Sequence, residues 1–83
     1  MTIESQIHTF ISKNLIFSDN GFKYSNDASF LQEGIVDSIG VLELVTFVSE
    51  TFSINVDDQD ITPDNFDSVN KLATYIRNKT TSS

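Results

Sequence analysis

The chain of 83 residues contains no cysteine, no tryptophan, a single proline and three glycines. The absence of cysteine excludes disulfide scaffolds, thiolate metal sites and cysteine nucleophiles. Basic residues are also few: five stand against twelve acidic ones, and the formal net charge is −7. Repulsion by this charge disfavours nucleic acid and anionic membranes as partners and favours proteins with basic patches, unless the acidity serves only solubility.

Long hydrophobic runs are absent as well. In residues 1–17 the apolar side chains are interrupted by Glu4, Gln6, His8 and Lys13, a pattern typical of neither a signal peptide nor a membrane span. We therefore expect a cytoplasmic protein without membrane insertion. No repeat or linker divides the sequence, so we expect one domain over residues 1–79 and a frayed tail at 80–83.

Apolar residues at helical spacing predict three substantial helices, over about 2–14, 38–52 and 68–79. Thr2 and Asp37 stand at the N-cap positions of the first two, and Pro63 is placed to open one further turn that ends at Phe66. No stretch alternates with period two over a useful length. The predicted fold is therefore all-α: a four-helix bundle of three main helices and one short helix, with a long loop between helices one and two.

The long loop covers about residues 16–36 and is rich in residue types that favour turns. A short helical turn is predicted near 29–32. A loop of this length is uncommon in a compact domain unless it is fastened to the core. We expect apolar side chains that recur along it to do this: Phe17, Phe22, Tyr24, Phe30 and Leu31.

Helix two is predicted to have a core face and a solvent face. The core face would contain Val41, Leu42, Leu44, Val45, Val48 and Phe52. The opposite face, at spacings of three and four, consists of Ile39, Glu43, Thr46, Phe47 and Glu50. We expect this second face to present two large apolar groups and two carboxylates to solvent.

Ser38 stands where the loop gives way to helix two, but the sequence does not support it as a catalytic nucleophile. Of the Gly-x-Ser-x-Gly pattern only the second glycine, Gly40, is present, because Val36 occupies the first position. The only histidine is His8, which we expect on the surface of helix one, so a general base is missing. The acidic cluster at 57–60 lacks the glycine of a calcium loop. We predict neither an enzyme nor a metal site.

Ser38 could instead be a simple helix cap, but Asp37 already serves as one. A hydroxyl at the first helical position is exposed, and an anionic group attached to it would lie against the helix N-terminus. Amides and the helix dipole stabilise negative charge there by about 0.3–1 kcal/mol. Gly40 costs the helix about 0.5–1 kcal/mol relative to alanine, and close approach by a partner would account for it. The position suits a phosphodiester.

These residues resemble the acyl carrier proteins, including the peptidyl and D-alanyl carriers. The resemblance covers about residues 2–79 and rests on Gly34-x-x-Asp37-Ser38-Ile39, Leu42-Glu43-Leu44-Val45, Phe52, Ile54-x-Val56, the acidic loop and Val69 to Ile76. It implies that a phosphopantetheinyl transferase attaches a 4′-phosphopantetheine arm from coenzyme A to Ser38. The thiol of the arm would then carry an acyl or aminoacyl group as a thioester.

The resemblance also implies a docking surface on helix two. The candidate partner-binding residues are Asp37, Ile39, Gly40, Glu43, Thr46, Phe47 and Glu50. Expected partners are the transferase, an acyl- or aminoacyl-activating ligase and downstream acyl-using enzymes with basic patches, and the carrier is expected to be a monomer. Phe66 stands where family members have an apolar residue near the arm, so it either lines a cargo groove or is ordinary core.

Two features depart from the carriers of fatty-acid synthesis. Helix two carries only Glu43 and Glu50 as acids, and Gly40 replaces the common aspartate. Asp-Ser-x-Gly and the segment 63–66 are similar to D-alanyl and other free-standing carriers charged by adenylating ligases. We therefore expect a dedicated carrier of a biosynthetic pathway rather than the housekeeping fatty-acid carrier. The alternatives are an aminoacyl or D-alanyl carrier and an unmodified protein-interaction module.

Overall fold

The computed structural model describes residues 2–18 and 21–81. Within these ranges the chain forms four α-helices and a 3-10 turn and contains no strand. The elements are α1 (Ile3–Asn14), α2 (Ser38–Phe52), the 3-10 turn (Asp58–Asp60), α3 (Pro63–Phe66) and α4 (Val69–Thr81). The predicted all-α fold of three main helices and one short helix is confirmed. None of the helices in the described part of the chain combines the length and the apolar character that crossing a membrane requires.

The first two long helices begin directly after the residues predicted to cap them. The Thr2 side chain accepts a hydrogen bond from the Ser5 amide at 3.0 Å, and Asp37 Oδ1 accepts one from the Gly40 amide at 2.7 Å. Such caps satisfy amides that the first helical turn leaves unpaired and contribute about 1 kcal/mol each. Both starts are therefore determined by local chemistry.

α4 ends later than predicted. It continues through Thr81, so the first two residues of the expected frayed tail are helical. Ser82 and Ser83, the remainder of that tail, lie outside the described residues.

The core lies where α4 packs against α1, α2 and α3. Its fully buried side chains come from the three long helices and from the loop between α1 and α2: Ile7, Ile11, Phe30, Leu44, Val48, Val69, Leu72, Ala73 and Ile76. The apolar stripes predicted for α1 and α4 are confirmed. Residues of α2 contribute less than predicted, because the helix carries more apolar side chains than can face the core.

The long loop is fastened to the core chiefly by Phe30, which is completely buried. Phe22 is half-buried and stacks on His8 with 4.7 Å between the ring centroids. His8 Nε2 lies 2.6 Å from Asn26 Oδ1. The expectation that His8 is plain surface is therefore wrong, because the loop folds back over α1 and engages its ring.

Three other side chains expected to fasten the loop do not do so. Phe17, Tyr24 and Leu31 are exposed, with 79 % of Phe17 accessible to solvent. The helical turn predicted near 29–32 is present as one turn, in which the Glu33 amide donates to the Ser29 carbonyl at 3.0 Å, and it does not propagate. Burial of Phe30, Ile35 and Val36, together with hydrogen bonds, positions this segment.

The faces of α2 differ from the prediction at two positions. Leu42, assigned to the core, is 60 % exposed. Phe47, assigned to solvent, is half-buried and stacks on Phe10 with 4.4 Å between the ring centroids. The buried line of α2 runs instead along Gly40, Leu44 and Val48, at spacings of four residues. Because α2 is apolar on much of its circumference, packing decides which side turns inward.

Candidate functional site

Ser38 is exposed and is the first residue of α2, as predicted. Asp37 precedes it and uses Oδ1 to accept the Gly40 amide. By helix geometry the amides of Ser38 and Ile39 have no partner within the helix, so this end of α2 carries partial positive charge. The side chain of Ser38 thus occupies a place where an attached anionic group is both accessible and electrostatically favoured.

An apolar cavity of about 220 Å³ opens beside Ser38. Its lining comes from the long loop, the first half of α2 and the segment around α3: Leu31, Ser38, Val41, Leu42, Ile61, Thr62, Pro63, Phe66 and Asp67. An engineered apolar cavity of about 150 Å³ stays dry and accepts benzene. The cavity beside Ser38 is therefore large enough for a small or medium-sized apolar group.

Phe66 satisfies both interpretations that the sequence left open. It is buried, and its ring packs at a tilt against Tyr75 with 5.3 Å between the centroids. It also forms part of the cavity wall. Phe66 is therefore a core residue whose outer surface lines the cavity beside Ser38.

The segment that contributes Ile61 and Phe66 to the cavity lining is anchored to α4 through Asp60. The Tyr75 hydroxyl donates to Asp60 Oδ2 at 2.9 Å, and Lys79 Nζ lies 3.6 Å from the same oxygen. Asn65 of α3 donates its side-chain amide to the Asp60 carbonyl at 2.9 Å. Burial and the neighbouring Asp60 carboxylate raise the pKa of the Tyr75 phenol well above its usual range, so it remains a hydrogen-bond donor.

The side of α2 nearest Ser38 presents apolar and acidic groups together. Ile39 is 70 % exposed, and Leu42 lies one turn further along the same side. Glu43, Thr46 and Glu50 are exposed, as expected. Sequence reasoning missed Leu42 as a surface residue, although its spacing of three from Ile39 was the available signal.

Gly40 does not leave space for a partner in the way the sequence suggested. The residue is buried, and a Cβ at this position would lie 2.7 Å from Val36 Cγ1 and 3.3 Å from Asp37 Oδ1. The space above Gly40 is filled by the protein's own chain. The glycine is explained by close packing of the loop on the first turn of α2.

Replacing Gly40 with alanine is expected to lower the free energy of unfolding by about 1 kcal/mol. Overpacking costs about 1–3 kcal/mol, and the better helix propensity of alanine returns about 0.5–1 kcal/mol. Urea unfolding followed by circular dichroism would measure the change. In a Val36→Ala background the same replacement should cost little, and an equal loss in both backgrounds would refute the clash with Val36 as its cause.

Among the residues that the structure describes, no group of three or more His, Asp or Glu side chains is arranged to hold a metal ion. Of the acidic residues near α3, Asp60 accepts a hydrogen bond from Tyr75 and lies close to Lys79.

Comparison with known proteins gives two similarities. The sequence model of the family described as "Phosphopantetheine attachment site" matches residues 18–76. The acyl carrier protein of Buchnera aphidicola subsp. Schizaphis graminum (strain Sg) is 35 % identical over 77 residues, which cover 93 % of this chain and 92 % of that protein. Both similarities include Ser38, the cavity and the whole of α2.

Proposed function

Because the chain belongs to the acyl carrier protein family, we propose that Ser38 bears its covalent 4′-phosphopantetheine and that the adjacent cavity receives an apolar acyl cargo. The protein is a carrier and not an enzyme. The observation that carries the proposal is the position of Ser38, an exposed hydroxyl at the start of α2 that itself lines an apolar cavity. Attachment and storage can therefore take place side by side.

The residues around Ser38 fit a phosphodiester. 4′-Phosphopantetheine supplies, when bound, a terminal thiol that holds the cargo as a thioester. Ser38 Oγ provides the ester oxygen, and the unpaired amides of the first turn of α2 stabilise the negative charge. The Asp37 cap on the Gly40 amide keeps that turn closed. The chain thus contributes a fixed attachment point and a sheltered surface.

The lining of the cavity favours an acyl group over an aminoacyl group. An ammonium group placed against these apolar walls would lose its hydration, which is costly without a partner. The only carboxylate in the lining, Asp67, already accepts hydrogen bonds from the Ser29 hydroxyl and the Leu31 amide. An aminoacyl or D-alanyl cargo is the second candidate, and the similarity of Asp-Ser-x-Gly to such carriers favours it.

We propose further that this carrier serves one biosynthetic pathway in the cytoplasm rather than housekeeping fatty-acid synthesis. Support comes from α2, whose surface near Ser38 combines the exposed Ile39 and Leu42 with few acids. Partners would include a phosphopantetheinyl transferase, an activating ligase and enzymes that use the cargo. A surface of this kind suits partners that place apolar contacts beside basic ones.

The first test is the intact mass of the chain after incubation with coenzyme A and a broad-specificity phosphopantetheinyl transferase. We expect the mass of one phosphopantetheine to be added, and peptide mapping should place it on the peptide that contains Ser38. No gain beside a control carrier that is modified in the same tube would refute the proposal and favour the unmodified interaction module. Offering the modified protein activated acyl and aminoacyl donors would then separate the two cargo classes.

We propose that partners dock on the exposed side of α2. This docking face comprises Asp37, Ile39, Leu42, Glu43, Thr46 and Glu50, all of which are exposed. Phe47 is left out because it packs on Phe10, and Gly40 because it is buried. Carboxylates on this face would speed encounter with basic partners without making the complexes tight.

Replacing Glu43 with lysine is expected to slow modification by the transferase about two- to tenfold at low ionic strength, since charge reversal replaces attraction by repulsion. Rising salt should reduce the difference, because exposed charges are screened. Initial rates from intact mass, with helicity checked by circular dichroism, would measure this.

Asp57→Lys is the matched control for Glu43→Lys. It changes the net charge equally but lies close to the C-terminal end of α2, since Asp57 and Phe52 line the same hollow. That end is about 20 Å from Ser38 along the helix axis. Equal slowing by both variants would indicate an effect of net charge alone, and loss of helicity in Glu43→Lys would make Glu43 structural.

A further inference from the structure

Two segments far apart in sequence contribute to the lining of the cavity beside Ser38. The long loop supplies Leu31, and the segment that ends at Asp67 supplies Ile61 and Phe66. The Asp67 carboxylate joins the two segments: Oδ2 accepts the Ser29 hydroxyl at 2.5 Å, and Oδ1 accepts the Leu31 amide at 3.1 Å. A backbone bond from the Phe30 amide to the Asp67 carbonyl, 2.8 Å long, lies between them.

We propose that hydrogen bonds to the Asp67 carboxylate hold Leu31 in the lining of the cavity and so determine how well a longer acyl cargo is retained. This inference rests on the proposed function, in which the cavity receives the cargo. Asp67 is a positioning residue in this proposal, and Leu31 is the residue that limits the cargo. The Asp67 latch denotes the two hydrogen bonds from Ser29 Oγ and the Leu31 amide to the Asp67 carboxylate.

Burial alone does not determine where Leu31 lies. Its neighbour Phe30 is completely buried, whereas half of the Leu31 side chain is accessible to solvent. Few packing contacts therefore oppose an outward movement of Leu31, and its own amide is held by Asp67. Ser29 Oγ also accepts the Gln32 amide at 3.2 Å, so the latch extends across the single turn that carries Leu31.

The effect of the latch should depend on the length of the cargo. An acetyl group is too short to need every wall of a cavity of about 220 Å³. An octanoyl chain is larger than the benzene ring that an apolar cavity of about 150 Å³ binds, so it needs the part of the lining that Leu31 contributes as well. Opening the latch should therefore expose octanoyl cargo to solvent and leave acetyl cargo unaffected.

A second set of hydrogen bonds provides a matched control. Asn70 of α4 donates its side-chain amide to Asp27 Oδ1 at 2.6 Å, and its backbone amide donates to the Asn26 carbonyl at 3.0 Å. These bonds also connect the long loop to the region after α3. Neither Asp27 nor Asn70 lines the cavity beside Ser38.

The experiment uses the full chain loaded with acetyl- or octanoyl-phosphopantetheine by a broad-specificity transferase from the corresponding acyl-coenzyme A. Hydroxylamine cleaves the thioester of the loaded protein and of free acyl-pantetheine. The protection factor is the cleavage rate of free acyl-pantetheine divided by the cleavage rate of the loaded protein. We expect Asp67→Ala to reduce octanoyl protection about three- to tenfold, the factor that a hydrogen bond of ordinary net strength supplies. Leu31→Ala should reduce it as well, because it removes a side chain that lines the cavity. Acetyl protection should not change.

Two further variants separate positioning from general destabilisation. Asp67→Asn should restore most of the octanoyl protection, because an amide oxygen can accept the Leu31 amide and the amide nitrogen can donate to Ser29 Oγ. Asp27→Ala should protect octanoyl cargo as the wild type does.

The inference is overturned if Asp67→Ala protects octanoyl cargo fully, or if Asp27→Ala loses as much protection. Equal loss for acetyl and octanoyl cargo would overturn it as well. Failure of the proposed function looks different: the wild type would take up no arm, or would protect octanoyl cargo no better than acetyl cargo. If Asp67→Ala does not fold, Ser29→Ala decides, since it removes one of the two hydrogen bonds of the Asp67 latch and should lower octanoyl protection without lowering acetyl protection.

Discussion

Replacing Ser38 with alanine is expected to abolish attachment of 4′-phosphopantetheine completely. The variant lacks the oxygen, at the start of α2 and beside the cavity, that would form the phosphodiester. An alanine methyl group cannot form this bond. The fold should persist, because the cap of α2 is formed by Asp37 and the Gly40 amide. Intact mass after incubation with coenzyme A and the transferase measures the effect, and circular dichroism verifies the fold.

Ser49→Ala is the matched control for this experiment. Ser49 also lies on α2, but its hydroxyl donates to the Val45 and Thr46 carbonyls, at 3.0 Å and 3.2 Å. This variant should gain the same mass as the wild type. A Ser38→Ala chain that still became modified would refute Ser38 as the attachment point.

Replacing Phe30 with alanine is expected to lower the free energy of unfolding by about 3–5 kcal/mol. Phe30 is completely buried although it lies in a loop, and its carbonyl accepts the amides of Ile35 at 2.9 Å and Val36 at 3.2 Å. A domain of this size has a stability of roughly 4–12 kcal/mol in total, so the loss would leave a marginal fold. Urea unfolding followed by circular dichroism would measure it.

Phe17→Ala removes the same side chain from the same loop and serves as the control. Phe17 is largely exposed, and its removal should change the free energy of unfolding by less than about 0.5 kcal/mol. Similar losses in both variants would show that burial of Phe30 is not what holds the loop. The comparison therefore tests directly how a long loop is kept in place in this fold.

Much of the fold could be predicted because its determinants are local. The caps Thr2 and Asp37, the proline that opens α3 and the apolar spacing of α1 and α4 each act within a few residues. The same is true of the proposed attachment point, because the place of Ser38 directly after a cap at the start of a helix is a local signal. Local hydrogen bonds and side-chain periodicity depend on residues close together in the sequence and can therefore be predicted from it.

The sequence by itself thus determined the helices, their order and the position of Ser38. Only the tertiary structure decided which side of α2 faces the core, that Val36 fills the space over Gly40, and that a cavity opens beside Ser38. α2 is apolar on most sides, so several rotations satisfy its periodicity, and packing against α4 and the loop selects one. The cavity joins Leu31, Leu42 and Phe66 from three separate segments. Contacts between distant segments leave no periodic signal in a single sequence.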